Sequence, residues 1–257
     1  LDDKFIAPTK LKFFLIAVIS LATPLITGSP SHFPFGAMAF AIPAPIAYGG
    51  AALWVFVVIN AVNFFDGSNG IMGASMAIAS AGLSLYAMII GVTDVALIAA
   101  CLSAAIIGFL PYNYRKRAQI FCGDTGALFI GFVFAAAVLR LNAHDSGNLS
   151  LFAGPLLILP LLMDVLLTIL RRIRDKDALL TPHSRHLYQT MIGAGRSHMR
   201  VAGHYVRGAI IASLAAIIGG ATGLIASMFY FLIWAVLVAL IYRAAIKYYG
   251  ARDQRGR

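Results

Sequence analysis

Apolar stretches of about twenty residues recur from one end of this sequence to the other, and they constrain the fold more than any other feature. A bilayer's hydrocarbon core is crossed by a helix of ~20 predominantly apolar residues. In lipid, a helix satisfies its own backbone hydrogen bonds. Hydrophobic residues make up 60% of the 257 positions and charged residues only 12%, against about 25% charged in an average soluble domain. The expected fold is therefore all-α, a polytopic transmembrane helical protein. Eight spans are predicted, at about 11–27, 44–62, 70–91, 94–112, 127–142, 150–171, 207–224 and 226–247. They form a single integral-membrane domain over 1–257, with a long loop at 171–206. Gly28 to Pro45, with Pro30, Pro34 and Pro43 inside it, reads as a long outer connection or a re-entrant piece. Gly219-Gly220 and Gly223 mark either a tight turn between the last two spans or a break in one helix. The chain opens on Leu1-Asp2-Asp3 without an initiator Met, which predicts a segment whose earlier spans are missing.

Charge placement tests the span assignment independently. With eight spans, Lys4, Lys10, Lys12, the run Arg115-Lys116-Arg117, the basic residues from Arg171 to Arg207 and those from Arg243 to Arg257 all fall on one side. Arg140 alone falls near the other end, where its side chain can snorkel. Basic loops mark the cytoplasmic side, so the net charge of +10 points to orientation and anionic lipid rather than to nucleic acid. The C-terminus is expected on the cytoplasmic side. Cys101 and Cys122 are too few and too far apart for a disulfide framework or a zinc site.

All ten acidic residues are Asp. Asp2, Asp3, Asp66, Asp124, Asp175, Asp177 and Asp253 lie on the basic side, Asp164 within the sixth span, and Asp94 and Asp145 outside. Short carboxylates at span ends suit a rigid site for a hard cation, although Asp is also an ordinary cap and loop residue, the reading preferred for Asp94, Asp145, Asp175 and Asp253. Four polar clusters stand out. The first is Asp2-Asp3, where one of two adjacent carboxylates can act as a base. The second is Asn60-Ala-Val-Asn63-Phe-Phe-Asp66-Gly67-Ser-Asn69-Gly70, with Asn60 and Asn63 one helical turn apart. Amides in an apolar stretch are costly unless they meet a ligand or each other, and the glycines can turn backbone N–H groups toward an anion. The third runs Asn113-Tyr-Arg115-Lys116-Arg117 and then Phe121-Cys-Gly123-Asp124-Thr-Gly126. The fourth is Thr181-Pro-His183-Ser-Arg185-His186-Leu-Tyr188-Gln189, which combines phosphate-binding and proton-transfer groups.

In order and sidedness these clusters resemble the polyprenyl-phosphate N-acetylhexosamine-1-phosphate transferases of glycosyltransferase family 4. The motifs are an Asp pair, Asn-x-x-Asn-x-x-Asp-Gly-x-x-Gly, Phe-x-Gly-Asp-x-Gly and a His-rich loop. The form His-Ser-Arg-His-Leu-Tyr-Gln looks most like the O-antigen-initiating branch, and unlike the run of His in the peptidoglycan branch. Asn69 stands where some relatives have Asp. The resemblance implies transfer of an amino-sugar 1-phosphate from a UDP-sugar to polyprenyl (undecaprenyl) phosphate, with release of UMP. It implies catalytic roles for Asp2 and Asp3, and Mg²⁺ (or Mn²⁺) on Asp124 with Asn63. It implies contacts to substrate from Asn60, Asp66, Asn69, Asn113, Phe121, His183, Arg185 and His186. Membrane lipid is an implied partner, a bacterial inner membrane with a cytoplasmic active site is the implied location, and a homodimer is compatible with the resemblance. Two other readings stay open: a transporter using Asp164 and the Asn60/Asn63 pair along a pathway, and an inactive homologue.

Overall fold

A computed structural model describes residues 9–35, 38–144, 151–177, 185–223 and 228–253. The helices are α1 (Thr9–Thr27), α2 (Ala44–Phe65), α3 (Ile71–Ile89), α4 (Thr93–Asn113), α5 (Gly123–His144), α6 (Ala153–Leu157), α7 (Leu159–Arg174), α8 (Leu187–Gly193), α9 (His198–Ala221) and α10 (Met228–Asp253). Between α1 and α2 an antiparallel hairpin pairs β1 (His32–Phe35) with β2 (Met38–Ala41), His32 opposite Ala41. The segment expected as an outer connection is thus folded on itself. Among the described residues, seven helices are long and apolar enough to cross a membrane, and the protein is an all-α polytopic membrane protein.

Helix ends sort into two groups. The end carrying the basic residues gathers the start of α1, the α2–α3 turn, the α4–α5 loop, α7, α8 and the start of α9, joined by side-chain hydrogen bonds. At the other end Phe152 packs on Phe33 of the hairpin and on Phe231 of α10. Arg140 does not simply snorkel there: its Nε donates to Asp94 Oδ2 at 3.0 Å.

The sixth predicted span, 150–171, is divided. α6 stops at Leu157 and α7 restarts at Leu159, with Pro160 in its first turn. Proline lacks the N–H that would continue the preceding helix, and its ring crowds the carbonyl four residues back. Together the two pieces still run from Phe152, beside the hairpin, to Arg171, whose Nη1 reaches Tyr242 of α10. The seventh span begins at His198, nine positions before the expected 207, and the fifth at Gly123 rather than 127. α9 continues through Gly219-Gly220 to Ala221, and α10 is a separate helix.

α3 is the hub: 78% of its membrane span is buried, against 6% for α10. Its run of Gly, Ala and Ser lets neighbours approach closely. Ser84 Oγ donates to the Ala96 carbonyl and Ser103 Oγ to the Ala77 carbonyl, both at 2.8 Å, tying α3 to α4. α10 instead presents Leu232, Ile233, Val236, Leu237 and Leu240 outward.

The close approach of α2 to α5 sets how near the polar ends of these two helices stand. A Cβ placed on Gly131 would stand 2.9 Å from the Ile59 Cα and 3.3 Å from the Val58 oxygen. Only glycine permits this spacing, because the obstacle is backbone and cannot rotate away. Gly131→Ala is expected to lower stability by about 1–3 kcal/mol and to spread the two helices. Thermal unfolding in detergent checks it, and an unchanged midpoint would rule out the close contact.

The candidate active face

The α2–α3 turn and the α4–α5 loop are laced together at the basic end. Asp66 follows the last residue of α2, and its carboxylate accepts backbone N–H groups from Cys122 (3.2 Å) and Gly123 (2.7 Å). Burial pushes the Asp66 carboxyl above its ordinary range and the neighbouring Asp124 charge adds to that, while the two N–H bonds pull it back. Burial also lifts the Cys122 thiol to about 11, with the Asp66 charge acting the same way. Asn113 bridges the same loops: its Oδ1 accepts from Gly70 N at 2.8 Å and its Nδ2 donates to the Ile120 carbonyl at 3.0 Å. Gly70 has φ of 77°, a left-handed value that favours glycine, and it lies under the Tyr114 ring, 1.9 Å from where a Cβ would stand. Asn69 Nδ2 donates to the carbonyls of Arg115 (3.0 Å) and Lys116 (3.3 Å). Asp66, Asn69 and Asn113 thus act together as the brace that fixes where α5 begins.

What that brace positions is Asp124, in the first turn of α5. Its side chain is 61% exposed, and its Oδ1 accepts from the Lys12 ammonium of α1 at 2.7 Å. The Asn63 amide is assigned from its neighbours, with Nδ2 donating to Asp124 Oδ1 at 3.1 Å and Oδ1 accepting from Lys12 Nζ at 3.0 Å. Lys12, Asn63 and Asp124 therefore form a closed triangle contributed by three helices. Phe121, half exposed, lies three residues before Asp124.

Asn60 does not join this group. It is buried, and its Nδ2 donates to the Phe56 carbonyl of its own helix at 2.7 Å.

The fourth cluster divides between two environments. Arg185 makes ion pairs with Asp175 (3.1 Å) and with Asp177, and the Arg174 guanidinium holds the Asp175 carboxyl below its ordinary range. His186 is buried against Phe64, Phe65 and Tyr188. The Tyr188 hydroxyl donates to the Phe64 carbonyl at 3.0 Å, which fastens α8 to the end of α2 one residue from Asn63. Burial, then the Asp164 charge, raises that hydroxyl to about 12. Asp2, Asp3 and His183 lie outside the described residues.

Two side chains outside the set expected from sequence organise the site. One is Lys12. The other is Asp164, buried to 1% exposure in α7. It accepts from Leu187 N (2.9 Å), from Thr168 Oγ1 (3.2 Å) and from the Tyr205 hydroxyl, with His186 Nδ1 at 3.4 Å. A carboxylate engaged in this way anchors the first residue of α8 and lines no path across the bilayer by itself.

The fit to a divalent cation can be judged on donor chemistry. Asp124 and Asn63 offer a carboxylate and an amide oxygen, hard donors, and an ammonium already stands between them. Among the described residues no group of three His, Cys, Asp or Glu side chains could hold a metal ion. A carboxylate and an amide oxygen are donors of the kind Mg²⁺ takes, since it keeps waters and substrate phosphate oxygens in the rest of its shell. The pair does not suit a closed zinc site.

Comparison with known proteins adds a separate line. The model of the family described as glycosyl transferase family 4 matches residues 1–142. A probable undecaprenyl-phosphate N-acetylglucosaminyl 1-phosphate transferase of Bacillus subtilis is 30% identical over 86% of this chain and 62% of its own length. The undecaprenyl-phosphate alpha-N-acetylglucosaminyl 1-phosphate transferase of Yersinia pestis is 25% identical over 85% of this chain and 60% of its own. A phospho-N-acetylmuramoyl-pentapeptide-transferase of Staphylococcus saprophyticus is 34% identical, over 56% of this chain and 44% of its own length. The chain spans less than two thirds of the length of these curated relatives.

Proposed function

This chain belongs to glycosyl transferase family 4, and from that premise we propose that its basic end is the cytoplasmic catalytic face of a phosphosugar transferase. The donor is a UDP-N-acetylhexosamine and the acceptor polyprenyl phosphate. An oxygen of the lipid phosphate forms a bond to the donor's β-phosphorus. The bond from that phosphorus to the bridging oxygen breaks, and UMP leaves with the electron pair. The carrying observation is the exposed Asp124 carboxylate, joined to Asn63 and already bonded to a cationic side chain at the polar end of the helices.

Phosphoryl transfer asks for positioning and for neutralisation of spread negative charge more than for covalent help. Mg²⁺ held by Asp124 and Asn63 would supply that neutralisation at the diphosphate. The brace through Asp66, Asn69 and Asn113 keeps Asp124 at a fixed place beside α2, so little reorganisation is needed when substrate arrives. Phe121, exposed next to the site, offers a ring face to the uracil. The resemblance assigns Arg185 and His183 to the diphosphate, and His186 beside Arg185 is buried against Phe64, Phe65 and Tyr188. A phosphate with a second pKa near 6 is already mostly dianionic at neutral pH, so Asp2 and Asp3 need not remove a proton and can instead orient the lipid phosphate.

A donor dissolved in water and an acceptor whose phosphate lies at the membrane surface meet naturally at span ends. The bias of Lys and Arg toward this end supports a cytoplasmic orientation. The longer alignments to N-acetylglucosaminyl relatives favour N-acetylglucosamine as the sugar, and a place at the first membrane step of O-antigen or another envelope glycan. Membranes containing the full protein, given radiolabelled UDP-N-acetylglucosamine, undecaprenyl phosphate and Mg²⁺, are expected to form a labelled lipid and UMP, and to stop on chelation. If the full protein forms no labelled lipid from N-acetylglucosamine, N-acetylgalactosamine or 6-deoxy N-acetyl donors, the proposal fails.

A further inference from the structure

We propose that Lys12 is an exchangeable counter-ion of the metal-binding pair, occupying it in the metal-free protein and giving way when a divalent cation arrives. The inference rests on the reading of Asp124 and Asn63 as metal ligands. One ammonium is bonded to both: its Nζ lies 2.7 Å from Asp124 Oδ1 and 3.0 Å from Asn63 Oδ1. A metal held by Asp124 and Asn63 would draw on the same two side chains. Two positive ions on one carboxylate repel each other, so binding of one favours departure of the other.

The arrangement suits a device that exchanges rather than a permanent ion pair. Lys12 is reached from α1, while Asn63 and Asp124 belong to α2 and α5, so the ammonium can leave without disturbing the α2–α5 contact. Its four-carbon stem is flexible and its ammonium is a compact point charge, unlike a bidentate arginine. The Asp124 side chain is 61% exposed, and ion pairs in water-exposed places are worth at most about 1 kcal/mol. Such a pair is strong enough to hold the two oxygens together in the empty protein and weak enough for a divalent ion to displace. Once released, the ammonium stays within a side chain's length of the pair, where the donor's diphosphate must lie. It can then donate to phosphate oxygens there.

The test is Mn²⁺ binding to the purified full protein in detergent, without nucleotide or lipid, followed by electron paramagnetic resonance. Wild type is compared with Lys12→Gln, Lys10→Gln and Asp124→Asn. Lys10 is exposed near the start of α1, so its loss changes the local field without touching the pair. Lys12→Gln is expected to bind Mn²⁺ about five- to tenfold more tightly than wild type, Lys10→Gln within about twofold of it, and Asp124→Asn hardly at all. If wild type and Lys12→Gln bind equally while Asp124→Asn does not bind, the metal assignment stands and the exchange is overturned. Equal tightening by Lys10→Gln and Lys12→Gln also overturns it, since a general field effect then suffices. Binding that ignores Asp124→Asn sinks the metal reading itself. A second readout is affinity for UDP with Mn²⁺ present, which Lys12→Gln is expected to weaken by about fivefold. Unchanged UDP affinity overturns the hand-over to phosphate.

Discussion

Asp124→Ala in the full protein is expected to lower sugar-phosphate transfer by about a thousandfold while barely changing stability or membrane insertion. The contrast follows from where the carboxylate sits. Its side chain is largely open to water and is bonded to Lys12 and Asn63. Removing an exposed pair of this kind costs about 0–1 kcal/mol, so the unfolding midpoint in detergent should move by only a few degrees. No packed volume is lost and no buried donor is stranded. The chemistry, by contrast, loses the anion that places positive charge beside the diphosphate. The measurement is single-turnover transfer in membranes alongside thermal unfolding of the same preparation. Near-normal turnover would remove Asp124 from the metal site, and a collapse in stability would mean that it holds the fold rather than the substrate. Lys12→Gln forms a useful partner experiment, because it removes the other side of the same ion pair and should leave the carboxylate free for metal.

Several of these features are legible in the sequence itself. Hydropathy finds the helices because each must present apolar surface over the thickness of a bilayer, and the Lys/Arg bias groups the four polar clusters at one end. Hydropathy sees the apolar slab, however, and not the helix that carries it. α5 and α9 continue past the slab into the polar end, so Asp124 stands on a helix where a loop is expected. A window average also runs across Ile158-Leu159-Pro160 without registering that the backbone restarts there. Asn60 and Asn63 illustrate the limit of periodicity. Three residues advance a helix by about 300°, so the pair is offset by roughly 60°, and that is enough for Asn63 to reach Asp124 while Asn60 bonds back to Phe56. An amide that finds its own i−4 carbonyl needs no ligand. Lys12 is hidden for a different reason: in a basic-side cluster, a lysine that binds a carboxylate has the same sequence signature as one that only sets orientation. Asp164 is visible but misleading, because a lone acid in an apolar stretch fits a transport path as readily as a structural knot.

Asp164→Ala should distinguish those two roles, and it is expected to lower stability by about 3–5 kcal/mol. The carboxylate accepts from Leu187 N, Thr168 Oγ1 and the Tyr205 hydroxyl, all drawn from different parts of the polar end. Alanine leaves Leu187 N and the Tyr205 hydroxyl without that acceptor, while Thr168 Oγ1 keeps the Tyr242 hydroxyl at 2.9 Å, and each stranded buried donor costs about 1–3 kcal/mol. A cavity of about 450 Å³ between α7, α8, α9 and α10 touches Asp164, Tyr205 and Tyr242. Water drawn into it can recover part of the loss, which is why the sum of two stranded donors is an upper bound for that contribution. Asp164→Asn keeps the shape and one acceptor oxygen, so its cost should fall between wild type and alanine. Because Leu187 opens α8, and Tyr188 fastens α8 to Phe64 beside Asn63, loss of the carboxylate frees the Arg185–His186 segment. Transfer should then fall even at temperatures where the protein remains folded, and the unfolding midpoints should rank wild type, Asn, Ala. A transport role predicts the opposite pattern: normal midpoints for both variants, with solute flux abolished and lipid product unchanged. Thermal unfolding and lipid product measured on the same three proteins decide between them.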